Sequence, residues 1–149
     1  MYYASMKTTK LSPLTEPTIF EFLDTASSLV RRMDRVLSLI GISFSEYRLL
    51  RMLGNSRTVG YPRINLAQAV GLTPSAVTRA LKPLEKLGYV TNQRNERDAR
   101  QSLALITPGG IQLLENAQSL LDDLFRTLPL NFLNQQAISE FKLRLLDLR

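Results

Sequence analysis

Two helix-forming stretches stand on either side of one glycine, and that arrangement constrains the chain more than anything else in it. The first, about Arg63 to Val70, presents Ile64, Leu66, Ala67 and Val70; after Gly71 the second opens as LTPSAVTRALKPLEKLG, residues 72–88. Thr73 suits the N-cap, because its hydroxyl accepts a hydrogen bond from a free backbone N–H of the first turn, and Pro74 suits the first helical position, where no N–H is needed. Val77, Ala80, Leu81 and Leu84 recur at helical spacing and face a core, which leaves Ser75, Ala76, Thr78, Arg79 and Lys82 outside. Ala67 is small enough for the two helices to approach, Gly71 takes the strained turn, and Val77 seals the packing between them, as in a helix-turn-helix. Pro83 cannot donate to the Arg79 carbonyl and is expected to bend or split the second helix.

Beyond Gly88, read as a helix-ending glycine, the short β-prone runs YVTNQ and SLALI flank the charged segment RNERDARQ, which predicts a hairpin with a long tip. A helix-turn-helix followed by such a wing is a DNA-binding plan. Small side chains on the first turn of the second helix allow close approach in a major groove about 12 Å wide, while Arg79 reaches a guanine edge or a phosphate. Backbone N–H groups from Thr73 to Ala76 suit a phosphate. The tip arginines Arg94, Arg97 and Arg100 suit a minor groove. Arg94 and Arg97 serve DNA or pair with Glu96; Lys82 and Lys86 serve phosphates or pair with Glu85.

Charge is concentrated in the same place. Between Ile42 and Ile106 there are ten Lys or Arg against four acids, the whole of the chain's net charge of +6, while the flanks carry nine of each sign. Such a distribution is an electrostatic footprint for a polyanion. The chain has no cysteine and no histidine. Disulfides, thiolate sensing, imidazole catalysis and most zinc or iron sites are therefore outside its chemistry, and no cofactor is expected. With no paired-carboxylate, glycine-rich phosphate or nucleophile motif, an enzyme is the weakest reading. No apolar run approaches the roughly 20 residues of a membrane span, and MYYASMKTTKLSP does not resemble a secretory signal; a cytoplasmic protein is expected.

The flanks are helical in pattern. Apolar residues from Ile19 to Ile40 keep a 3.6-residue rhythm, so Pro17 to Ile40 reads as one helix ending at Gly41. Ser43 with Glu46 is a capping-box signature opening FSEYRLLRMLG, closed by Gly54, and NSRTVGYP (55–62) reads as a loop. Thr107-Pro108 opens another amphipathic helix that stops near Pro129, and a last one runs roughly from Asn131 to Leu148. Residues 1–12 are expected to be frayed. The expected fold is mainly α with a small β-hairpin wing, divided into a winged helix-turn-helix lobe over 42–106 and dimerisation helices over 13–41 and 107–149. The leucine-rich flanking helices are expected to pair with a second subunit.

The run from Leu66 to Gly110 resembles the MarR family of bacterial transcriptional regulators. The resemblance lies in Val77-Thr78-Arg79, in LEKLGYV from Leu84 to Val90, in Asp98-Ala99-Arg100 and in LITPGG, and the helix order agrees over nearly the whole chain. It implies a homodimer that binds a pseudo-palindromic site on double-stranded DNA and is often released by a small ligand. It also places DNA contact on Ser75, Thr78, Arg79 and Arg100, with Asp98 holding the wing arginine. Ala99 stands where the family frequently has a further arginine, so a second minor-groove contact falls to Arg97 if it is made at all. For a small aromatic or acidic effector, Tyr47, Arg48 and Arg51 with Met33 and Leu37 could line a cleft; equally, Met33 and Leu37 are core residues and the arginines meet DNA or acids. A ligand-independent regulator or activator, and a winged-helix protein-interaction module without DNA binding, are the alternatives.

Overall fold

The computed structural model describes residues 15–96, 98, 101–129 and 134–146. They form α1 (Glu16–Ser38), α2 (Phe44–Gly54), β1 (Tyr61–Pro62), α3 (Arg63–Val70), α4 (Pro74–Lys86), β2 (Val90–Arg94), β3 (Ser102–Ile106), α5 (Pro108–Thr127) and α6 (Gln135–Leu146). The mainly helical fold with a small antiparallel sheet is the one expected. No helix among the described residues is long and apolar enough to cross a membrane.

The chain divides into two units, residues 1–32 and 33–149. The described part of the first is the opening of α1, where Ile19 N–H donates to the Thr15 carbonyl at 3.1 Å and Thr25 Oγ1 donates to the Glu21 carbonyl at 2.8 Å. Ile19, Phe20, Phe22 and Leu23 are all exposed there.

In the second unit, local signals act as their chemistry requires. Ser43 and Glu46 form the full capping box at the start of α2, and the Phe44 N–H donates to Asp34 Oδ1 at 2.7 Å, which ties that start to the end of α1. Thr73 and Thr107 each cap the helix that follows through the side-chain oxygen. The core is built by Leu49, Leu50 and Leu53 of α2, Leu66, Ala67 and Val70 of α3, Val77, Leu81 and Leu84 of α4, and Leu113, Leu114, Ala117 and Leu121 of α5, with Val90, Ala104 and Ile106 from the sheet. Ala67 and Val77 are both buried in this core, and Gly71 turns the chain at φ +64°. A β-carbon at that angle is strained, so the glycine sets the tight connection between α3 and α4.

Several expectations are corrected. The end of the supposed loop 55–62 forms β1, which pairs antiparallel with β3 in the register Tyr61 to Ala104 and Pro62 to Leu103, giving the sheet order β1-β3-β2. A two-residue strand with a proline has no period to read, and it exists only through its partner. α2 spans Phe44 to Gly54 as expected, with Asn55 in the C-cap position. Ile64 is 52% exposed, so α3 turns one of its apolar residues outward. Pro83 does not split α4, which is continuous. It lies within the last turn, and like Arg79 it is exposed, so the carbonyl that loses its donor has water available.

Candidate nucleic-acid interface

α4 separates its two faces cleanly. Val77 and Leu81 are wholly buried and Leu84 nearly so, whereas Thr73, Ser75, Thr78, Arg79 and Lys82 are exposed and Ala76 is half-buried. Pro74, Ser75, Thr78 and Arg79 line an open concavity of about 570 Å³ on the outer side of the helix. Among the described residues, none of the ion pairs involves Arg79, Lys82, Lys86 or Arg94, so these four cations carry no fixed carboxylate partner there.

The start of the helix keeps two open backbone donors among the described residues. Thr73 Oγ1 accepts from the Ala76 N–H at 3.2 Å, the Thr73 carbonyl accepts from the Val77 N–H at 3.0 Å, and Pro74 has no N–H. Thr73 N–H and Ser75 N–H are then without a partner among the described residues, and with the positive end of the helix dipole they offer a phosphate donors. The sequence expectation of several such groups narrows to two, because Pro74 has no N–H and the cap occupies that of Ala76.

On the wing, β2 and β3 pair from Val90–Ile106 out to Arg94–Ser102. Past them the Asn95 N–H donates to the Gln101 carbonyl at 3.0 Å and the Gln101 N–H to the Asp98 carbonyl at 2.9 Å, folding the tip back on itself. Arg94 projects exposed from the end of β2. Arg97 and Arg100, and Ala99 between them, lie outside the described residues. Asp98 is half-buried within the tip.

The residues singled out for a small ligand lie on the second half of α1 and on α2. Leu37 is wholly buried, Tyr47 is 8% exposed, and Met33 packs on the same core. Arg48 lies over the Phe44 ring at 5.9 Å. Arg51 lines a cleft of about 180 Å³ with Gly54, Asn55, Arg57, Ile111, Leu114, Glu115 and Gln118. Burial pushes the Tyr47 hydroxyl above its ordinary pKa, Arg51 partly offsets this and Asp122 adds to it, so the phenol stays neutral at ordinary pH.

One cation of the basic segment is already engaged. Arg63 Nη2 donates to Glu85 Oε1 at 2.7 Å and to Asn92 Oδ1 at 3.2 Å, with the Arg63 and Glu85 side chains each about a quarter exposed. The sequence reading counted Arg63 only as charge and offered Glu85 to the neighbouring lysines. The true partner is 22 residues away, and no local spacing announces it.

Residues 42–102 match the sequence model of the MarR family. An uncharacterised HTH-type transcriptional regulator of Bacillus subtilis (strain 168), YwhA, is 35% identical over 68 residues, which are 43% of this chain and 49% of the relative; the chain thus spans about half the length of that protein. Among solved structures, the transcriptional regulator BldR from Sulfolobus solfataricus is 22% identical with a TM-score of 0.76, over 91% of this chain and all of that one. The S. aureus MepR–DNA complex is 21% identical with a TM-score of 0.71, over 90% of this chain and 94% of its own. At such identities the structural likeness carries the fold.

Proposed function

From the premise that this chain carries a MarR-family domain over residues 42–102, we propose that it is a sequence-specific, double-stranded-DNA-binding transcriptional regulator that acts as a homodimeric repressor on a pseudo-palindromic operator. The observation that carries the reading is the outer face of α4, exposed, short in its side chains at the first turn and cationic at Arg79 and Lys82 beyond it, beside a two-stranded wing. Ser75, Thr78 and Arg79 enter the major groove, Ser75 N–H and Lys82 take phosphates, and Arg94, Arg97 and Arg100 reach the minor groove with Asp98 orienting Arg100. The exposed apolar residues on one face of α6, Ile138, Phe141 and Leu145, support pairing of two copies, as do those of α1. Such a dimer presents two recognition helices to successive major-groove faces, about 34–36 Å apart.

Selection of bound duplexes from a random DNA pool at moderate salt tests this directly. Enrichment of a pseudo-palindrome with half-sites about one helical turn apart is expected. A folded, dimeric protein that enriches nothing would overturn the reading.

A second reading, regulation without a small ligand, is favoured by one observation. Leu37 and Tyr47, two of the residues singled out for an effector, are closed within the core of the subunit. Thermal unfolding with a panel of aromatic acids separates the two, since an effector that binds the folded dimer raises its melting temperature and an inert panel does not.

A further inference from the structure

We propose that Arg63, Glu85 and Asn92 form a polar clasp that sets the angle between α4 and the wing, which makes Arg63 a positioning residue for DNA recognition and not one of its phosphate contacts. The inference rests on the DNA-binding reading above and deepens it.

Three elements meet at one guanidinium. Arg63 opens α3, Glu85 sits in the last turn of α4, and Asn92 is the middle residue of β2. The same Asn92 Oδ1 that accepts from Arg63 also accepts from Ser102 Oγ at 3.3 Å, which extends the network to β3. Beyond the clasp, α4 is joined to β2 by the turn through Leu87, Gly88 and Tyr89, where the Gly88 N–H donates to the Glu85 carbonyl at 3.1 Å and the Tyr89 N–H to the Leu84 carbonyl at 2.9 Å, and farther along both elements by apolar packing at Leu84 and Val90. Apolar contacts are non-directional and tolerate small rotations, whereas a planar guanidinium donates along fixed directions and so resists them. The pair is shielded enough to hold its geometry, being only about a quarter exposed on each side. A phosphate approaching Arg63 would also have to displace, or share it with, a carboxylate already 2.7 Å away.

The functional need follows from geometry. A helix in the major groove and a wing in the minor groove bind together only if their relative placement is already correct; otherwise ordering them costs affinity on each encounter. A clasp at the root of both elements supplies that placement without touching DNA.

The test compares the parent with Arg63→Gln, Glu85→Gln, the double variant and Asn92→Ala, using the operator recovered by selection across a salt series. Thermal unfolding of each checks that it is folded. Positioning predicts that Arg63→Gln and Glu85→Gln weaken operator binding to a similar extent, about tenfold, that the double variant is no weaker than either alone, and that the salt slope is unchanged. Asn92→Ala, which alters no charge, should reduce preference for the operator's flanking bases with the same slope, and it keeps the test in force if an Arg63 variant fails to fold. Tighter binding by Glu85→Gln, with a slope lower by about one per half-site in Arg63→Gln, would show that Arg63 is a phosphate contact and overturn the clasp. Variants that bind as the parent does would also end it, while a parent that recognises no sequence would end the DNA-binding reading itself.

Discussion

α4 and α6 are both amphipathic helices of similar length, yet the chain treats their apolar faces in opposite ways. In α4, Val77, Leu81 and Leu84 are at most 1% exposed, enclosed by α2, α3 and the sheet. In α6, Ile138, Phe141 and Leu145, which share one face, are 52–55% exposed. The difference teaches that binary pattern alone states that a face seeks burial, not where the burial is found. α4 finds it within its own subunit and is free to offer its polar side outward. α6 leaves its apolar side in water, the arrangement from which the proposed dimer follows.

The contrast can be broken most forcefully at α6. Ile138→Glu combined with Leu145→Glu should leave folding of the lobe within about 0.5 kcal/mol of the parent, as for surface changes, while removing roughly 1.5–3 kcal/mol of burial for each residue from a dimer contact. Sedimentation would then show monomers with an unchanged circular dichroism spectrum; a persistent dimer would mean that α6 pairs with nothing. Next in size, Leu81→Ala should cost about 2–5 kcal/mol of folding stability in chemical denaturation, because it opens a cavity among fully enclosed neighbours. A loss below about 1 kcal/mol would mean that α4 is held more loosely than its burial implies.

On the polar side, Arg79→Ala should weaken operator binding by about 1–3 kcal/mol and relax the preference at one base per half-site, with folding unchanged. Unaltered preference in a repeated selection would remove Arg79 from base readout. The smallest effect is expected at the cap. Thr73→Ala removes the acceptor for the Ala76 N–H and should cost about 1 kcal/mol of stability, read as a lower denaturation midpoint.

What was legible in the sequence was what neighbouring residues decide among themselves. Thr73 with Pro74, Ser43 with Glu46 and Thr107 with Pro108 announce helix starts because each cap bonds within three residues. The inner and outer faces of α4 were readable for the same reason, since a 3.6-residue period requires no knowledge of the partner. β1 was not readable, because Tyr61 and Pro62 become a strand only against Leu103 and Ala104. Nor was the Arg63–Glu85 pair, which joins two helices across the turn between them. Gly54 was read as the end of α2, which it is, but its close approach to Leu114 of α5, where an added β-carbon would come within 2.6 Å of the leucine side chain, is a contact no local pattern announces. At the site, the α4 residues could be placed in advance, but the polar fastening of that helix to the wing depends on contacts that only the folded chain makes.

The short strand β1 has a consequence for how this protein acquires its structure. Because Tyr61 lies opposite Ala104, α3, α4 and β2 form a single loop whose two ends are stitched side by side. Closing a loop of that length carries an entropic cost that must be met before the pairing contributes anything in return. The β2–β3 hairpin and the α3–α4 turn, being local, are expected to form early, and β1 to join afterwards. The segment that completes the sheet is thus the one whose contacts form last, and it enters a helix-turn-helix that is already in place.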